Sequence, residues 1–351
     1  MGNVIDRIDL FSKKLEINQR RYIGNKSKLM PWISDLILKN TEGNSFFDVF
    51  AGTGSVTAYM FNNYNSFYIN DFLYSNYAAF NAFFGEEGVD NKKINNYFDQ
   101  FKLINKRKYD DSYFEDNYGG RFFSKHDAAV IGEIRERVQN AKDLNDRERA
   151  VLITSLIYSA DRISNTVGHY DAYRKGIEIP DRFHFELIDY MNTHDKDIHI
   201  YREDANEIVK KVYADVVFLD PPYNSRQYSR FYHVLEQIAK WNKPKLYGVA
   251  MKPKAENMSE YSRSDAPEIF DQLVQNIHGK YIVVTYNNTY ENAKSTSSRN
   301  KITHNQILES LNKVGITKVF NKPYKYFNAG NTNLKNHKET LFITEVSHPN
   351  E

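Results

Sequence analysis

The sequence predicts an α/β fold: a doubly wound sheet carrying a mostly helical insertion. Three observations carry that expectation. Strand, glycine turn, helix and second strand follow one another within residues 46–71. The same alternation returns after residue 197, in short β-branched and aromatic runs that end on acids or turn residues. Between them, from about 73 to 196, apolar residues recur three and four apart and no comparable strand run is present. The chain therefore divides into a discontinuous sheet domain, 1–72 with 197–351, and a helical insertion, 73–196.

In chain order, "SFFDVFAGTGSVTAYMFNN" reads as a strand over 46–50, a glycine turn, then a helix from about Ser55. "SFYIND" (66–71) is a short strand ending on an acid, which completes the opening unit of a parallel sheet. Within the insertion, "KHDAAVIGEIRERVQNA" and "RERAVLITSLIYSADRI" have the clearest helical spacing. "DIHIYRED" (197–204) and "ADVVFLD" (214–220) are strands, and "RFYHVLEQIAKW" (230–241) is a helix. "KYIVVTYNN" (280–288) and "HKETLFITEV" (337–346) are the last strands, separated by a loop at "AKSTSSRNK" (293–301).

Composition narrows the chemistry. With no cysteine in 351 residues, disulfides, thiolate metal sites and cysteine nucleophiles are excluded. His169, His184, His194 and His199 lack the spacing of a metal site, so no metal is expected. The first residues contain no signal-peptide core, and no run approaches the roughly 18 apolar residues of a membrane span. A cytoplasmic protein without membrane contact is the expectation. The 26 Tyr and 23 Phe are a high share; many of these rings belong to the core, and stacking on flat ligands is the second reading of them. Residues 73–196 hold 18 Lys and Arg against 21 Asp and Glu, whereas residues 226–345 hold 18 against 10. A basic C-terminal third suits a polyanionic partner.

Two turns carry the chemical signal. In "FAGTGS", Gly52 and Gly54 lack Cβ atoms, so the loop after the first strand can bring its backbone close to a ligand. Asp71 ends the next strand, roughly where doubly wound folds place an acid on ribose hydroxyls. The loop is neither GxGxxG nor a P-loop, so a nucleoside cofactor without pyrophosphate fits it better than a dinucleotide. The second turn is "VVFLDPPYNSRQY" (216–228). Asp220 stands at the carboxyl end of a buried strand, Pro221 and Pro222 stiffen the turn, and Tyr223 adds a flat face. An amino group on an aromatic ring could donate one N–H to Asp220 and the other to the Pro221 carbonyl while Tyr223 stacks on the ring.

"DPPY" with "FAGTGS" upstream resembles the amino-methyltransferases that use S-adenosylmethionine. The order "RRYIGNKSKL", glycine loop, helical insertion, "DPPY" further resembles the α-class, D12-type DNA adenine-N6 methyltransferases. The resemblance implies a Rossmann-like methyltransferase sheet and methyl transfer to the N6 amino group of adenine in duplex DNA, after the base is flipped out of the stack. It implies S-adenosylmethionine as cofactor, double-stranded DNA as partner, and a cognate restriction endonuclease in a restriction-modification system. Carried onto this sequence, Tyr22, Lys26, Phe50, Ala51, Gly52, Thr53, Gly54, Ser55, Asp71 and Asp204 would hold the cofactor. Asp220, Pro221, Pro222 and Tyr223 would grip the adenine. Arg162, Asn165, His169, Tyr170 and Arg174 are candidates for DNA contact in the insertion, with Lys175 and Arg182 beside them. Arg226, Arg230, Lys294, Arg299 and Lys301 are candidates in the basic third.

Other readings compete. Methylation of an RNA base or of cytosine N4 uses related chemistry, and a silent DNA-binding protein could retain the same scaffold. Cytosine-C5 methylation by a cysteine nucleophile is excluded by composition.

Overall fold

A computed structural model describes residues 4–5, 26, 28–222, 225, 227–288, 301–323 and 338–347. Tyr22, Tyr223, Arg226, Lys294, Arg299 and residues 293–300 of the loop expected at 293–301 lie outside the described residues.

Seven strands form one sheet: β1 Ser45–Asp48, β2 Ser66–Asn70, β3 Asp197–Tyr201, β4 Tyr213–Leu219, β5 His278–Asn287, β6 Gly315–Pro323 and β7 Lys338–Val346. Their spatial order is β3-β2-β1-β4-β5-β7-β6. Strands β1 to β5 pair in parallel. β7 runs antiparallel to both its neighbours. The architecture is the expected Rossmann-like one, with a difference at one edge: the last strands are mixed, not purely parallel. Apolar patterning tells which residues are buried but not which way a strand runs, so the direction of β7 was not legible.

The helices among the described residues are α1 Met30–Asn40, α2 Ser55–Met60, α3 Tyr74–Phe84, α4 Asn91–Phe101, α5 Tyr113–Tyr118, α6 Lys125–Asn140 and α7 Asp146–Ile163. They continue with α8 Ala205–Ile208, α9 Tyr228–Phe231, α10 His233–Lys240, α11 Ala266–Gln275 and α12 His304–Asn312. Helices α6 and α7 match the two clearest helical runs. Each is capped by a side chain: Ser124 accepts from the Asp127 N–H, and Asn145 forms a reciprocal capping box with Glu148. The helix expected over 230–241 is two, because Tyr232 leaves the helical region at φ −114°, ψ 21° and divides α9 from α10.

The sheet is buried on both faces, which is why Ala214 to Leu219 of β4 is continuously buried. On one face Phe46, Phe67, Ile69 and Phe218 join a core with Phe80, Phe83, Ile131, Leu152 and Ile157 of the helical stretch. On the other, Phe47, Val217, Leu219 and Val284 pack against Ile208, Phe270, Leu273, Ile307 and Leu311. Burying one such side chain contributes about 1.5–3 kcal/mol, so the helices of 74–163 are held as a layer on the sheet.

This topology positions the site. From β1 the chain steps outward through β2 to β3, then returns to place β4 on the other side of β1. The order reverses there, and the crevice beyond the carboxyl ends of β1 and β4 is where open α/β sheets take ligands. Phe46 pairs with Val216 and Asp48 with Phe218, so the glycine turn and the Asp-Pro-Pro turn leave adjacent strands at the same level.

Candidate active site

One cleft opens at that crevice. It is lined by Lys26, by Phe50 to Thr53 and Ser55, by Asp71, by Glu203 and Asp204, and by Asp220, Pro221 and Pro222. Its space, open mouth included, is about 1010 Å³. The two turns singled out in the sequence thus face one cavity, although Asp220 comes 165 positions after Ser55.

The glycine turn is shaped by its backbone. Gly52 and Gly54 have φ of 56° and 78°, a region where an L side chain is strained. Gly54 closes the turn by donating its N–H to the Ala51 carbonyl at 2.7 Å and starts α2, but it does not line the cleft. Thr53 and Ser55 share a hydroxyl hydrogen bond of 2.7 Å.

Asp71 is tied into this turn. Its Oδ2 accepts the Gly52 N–H at 2.9 Å, and its Oδ1 accepts from the Leu73 N–H and the Asn76 side-chain amide, both at 2.9 Å. Burial pushes its carboxyl up to about 6; those donors offset part of the effect, and the Glu236 carboxylate adds to it. Asp71 is therefore a staple of the loop as well as part of the cleft wall. Asp204 caps α8, its Oδ1 accepting the Asn206 N–H at 2.9 Å.

Asp220 sits in a buried charge network that the sequence did not reveal. Its Oδ1 lies 3.2 Å from the Lys26 ammonium and accepts the Thr285 hydroxyl at 3.1 Å. The same ammonium donates to Glu339 at 2.6 Å. Lys26 is only 5% exposed. Burial lowers its pKa, but the two carboxylates outweigh that and hold it above the ordinary lysine value. Below the turn, Asp48 is pushed up to about 7, by burial first and then by the charges of Asp220 and Asp71, against the hydrogen bond from Thr57. Its Oδ2 accepts that hydroxyl at 2.8 Å, and its Oδ1 is buried without a partner.

The remaining wall was also missed. Tyr228, Ser229, Asn257, Ser259 and Tyr261 line the cleft. Gln227 exchanges two hydrogen bonds with the Ser259 backbone, at 2.9 and 2.7 Å, and Asn257 donates to the Phe72 carbonyl at 3.1 Å. These bonds lay residues 257–261 across the mouth. Tyr261 meets Phe50 edge to face at 5.1 Å. The stretch between α10 and α11 has no helical or strand periodicity, so no local signal could have found it.

The residues expected at a DNA surface are placed unevenly. Arg174 is exposed. His169 is half-buried, edge-on to the Phe231 ring at 4.6 Å. Arg162 pairs with Glu186, and Arg230 donates to the Pro253 carbonyl at 2.6 Å. Two of the expected contact residues are buried. Tyr170 is 1% exposed with its hydroxyl on Asp161 at 2.8 Å, and so is a core ring. Asn165 is 7% exposed and its amide donates to the carbonyls of Arg121 and Arg174, so it ties the loop together from inside. Polar residues in a loop read as surface in a sequence; here they satisfy the loop's own backbone.

Comparison with known proteins agrees with the geometry. The family model described as D12 class N6 adenine-specific DNA methyltransferase matches residues 22–296. The chain is 31% identical over 349 residues to Modification methylase StsI of Streptococcus sanguinis, covering 93% of this chain and 52% of that protein. It is 31% identical to Modification methylase LlaI of Lactococcus lactis subsp. lactis, covering 76% and 46%. Against Type II methyltransferase M.NlaIII of Neisseria lactamica it is 27% identical, covering 90% and 95%. The chain thus spans about half the length of the first two relatives and nearly all of the third.

Proposed function

Because this chain belongs to the D12 class of N6 adenine-specific DNA methyltransferases, we propose that it methylates adenine N6 in a short sequence of duplex DNA, as the modification partner of a restriction endonuclease. The observation that carries the reading is the meeting of Asp220 and Pro221 with the glycine turn in one cleft at the switch point of the sheet.

The cleft fits S-adenosylmethionine by its own chemistry. Asp71, Glu203, Asp204 and Asp220 line it against the cation of Lys26, which is itself matched by Glu339. An acidic cleft suits a ligand carrying a sulfonium and an ammonium. Phe50 offers a ring beside the glycine turn, and Asp71 and Asp204 are the acids for ribose and adenine. When bound, the cofactor supplies an electrophilic methyl group.

On the chain's side, Asp220 and the Pro221 carbonyl accept the two N–H groups of the target amine, and Tyr223 stacks on the extruded base. Held from both sides, the amine turns its lone pair toward the cofactor. Asp220 also lies where positive charge develops on N6 as the new bond forms, and a fixed carboxylate there lowers the barrier. Residues 73–196 serve as the target-recognition layer.

The test is expression of the chain in cells without adenine methylation, followed by methylation-sensitive sequencing of their DNA. N6-methyladenine confined to one short sequence is expected. N4-methylcytosine, or unmodified DNA from cells holding folded protein, contradicts the reading.

A further inference from the structure

The network behind Asp220 contains a carboxylate that the chemistry above does not use. Glu339 lies on β7, 2% exposed, and takes the Lys26 ammonium at 2.6 Å while Asp220 stands 3.2 Å from the same atom. Both anchors of the ammonium are tied to secondary structure. The Lys26 carbonyl accepts the N–H groups of Leu29 and Met30 at the start of α1, and Glu339 pairs in register with Asn287 of β5, two residues beyond Thr285. Two secondary-structure elements and a buried ion pair thus converge behind one oxygen of Asp220.

A carboxylate facing a buried ammonium alone is a poor acceptor for a neutral amine, because a charge-assisted bond is roughly twice as strong as the bond that would replace it. We propose that Glu339 is a positioning residue for methyl transfer: by taking the larger share of the Lys26 ammonium, it leaves the Asp220 carboxylate to the target amino group. This rests on the reading of Asp220 given above. During transfer the amine forms its bond to the methyl carbon as the carbon–sulfur bond breaks, and the electron pair of that bond stays on sulfur. Positive charge passes to N6, which then sheds a proton to water. Asp220 stabilises that charge only while Lys26 is drawn toward Glu339. In Glu339→Gln a larger share of the ammonium's charge falls on Asp220.

The experiment compares wild type, Glu339→Gln and the double variant Lys26→Met/Glu339→Gln. The readouts are cofactor affinity by calorimetry, single-turnover methyl transfer to duplex DNA at saturation, and melting. In Glu339→Gln the transfer rate should fall at least ~10-fold, the scale of one hydrogen bond to a charged group, while cofactor affinity stays within about threefold, because the glycine turn and Asp71 are untouched. Removing the ammonium as well should recover part of the lost rate. A Glu339→Gln rate equal to wild type overturns the proposal, as does a double variant slower than the single one. Should Glu339→Gln fail to fold, the double variant, which removes both ends of the pair, carries the test: folded but without transfer, it overturns the proposal. If wild type itself transfers no methyl group to adenine, the reading of the function fails instead.

Discussion

At the scale of single residues, the acids around the cleft divide by what they already hold. Asp71 accepts three N–H groups of the fold, so its loss removes loop order together with the proposed ligand contact. Asp71→Ala should raise the dissociation constant for S-adenosylmethionine at least ~10-fold, given that hydrogen bonds to charged groups contribute about 1.5–3 kcal/mol; calorimetry showing unchanged affinity would remove Asp71 from the cofactor site. Asp48 makes a prediction in pH. Its carboxyl rises from 3.8 to about 7 in the fold, so the folded state binds the proton more tightly than the unfolded one. Its contribution to stability is therefore greatest at the acid end and declines as pH rises from about 4 to about 7, with the decline complete above that. Asparagine cannot ionise. The melting temperature of Asp48→Asn should gain on that of wild type between pH 5 and pH 8, and parallel curves would contradict the assignment. Asp71 and Asp220 were legible because each ends a strand beside a recognisable turn. Glu339 and Thr285 were not, because their partnership with Lys26 and Asp220 spans long stretches of chain and leaves no local pattern.

At the scale of elements, β1, β2 and β4 were readable because buried parallel strands are short apolar runs ended by turn chemistry. β6 was not. "GITKVFNKP" lies at the sheet edge with alternating partial exposure, and Ile316 and Val319 remain exposed, so it lacks the apolar run that marks a central strand. The break at Tyr232 escaped notice because its neighbours keep helical spacing across it. In the proposed function, cofactor binding depends on the glycine turn, whose residues Phe50 to Thr53 and Ser55 line the cleft. An alanine at Gly54 would stand at φ 78°, where an L residue costs roughly 1–2 kcal/mol. Gly54→Ala should melt earlier and bind S-adenosylmethionine more weakly, although position 54 does not line the cleft. A variant that melts earlier with unaltered affinity would show that the turn does not set the shape of the site.

At the scale of the molecule, the sheet supplies rigidity and the helices supply surface. Helices from 74 to 163 share a core with one sheet face, so a DNA-reading role for this layer would be built on a firm support. Its net charge is not that of a phosphate binder, and Arg162 and Arg137 are engaged with Glu186 and Glu133. Arg174 and Lys175 are exposed and stand in the stretch proposed for DNA contact. Replacing both with alanine should reduce the salt dependence of duplex binding by about one unit of slope per lost phosphate contact, read by anisotropy across a salt series; an unaltered slope would move the contact to the basic third of the chain. The central claim concerns the turn after β4, and one comparison addresses it most directly: methyl incorporation into duplex DNA by wild type and Asp220→Ala at equal cofactor occupancy. Abolished incorporation with cofactor still bound is the predicted result. Undiminished incorporation by the variant would show that the amine is held elsewhere.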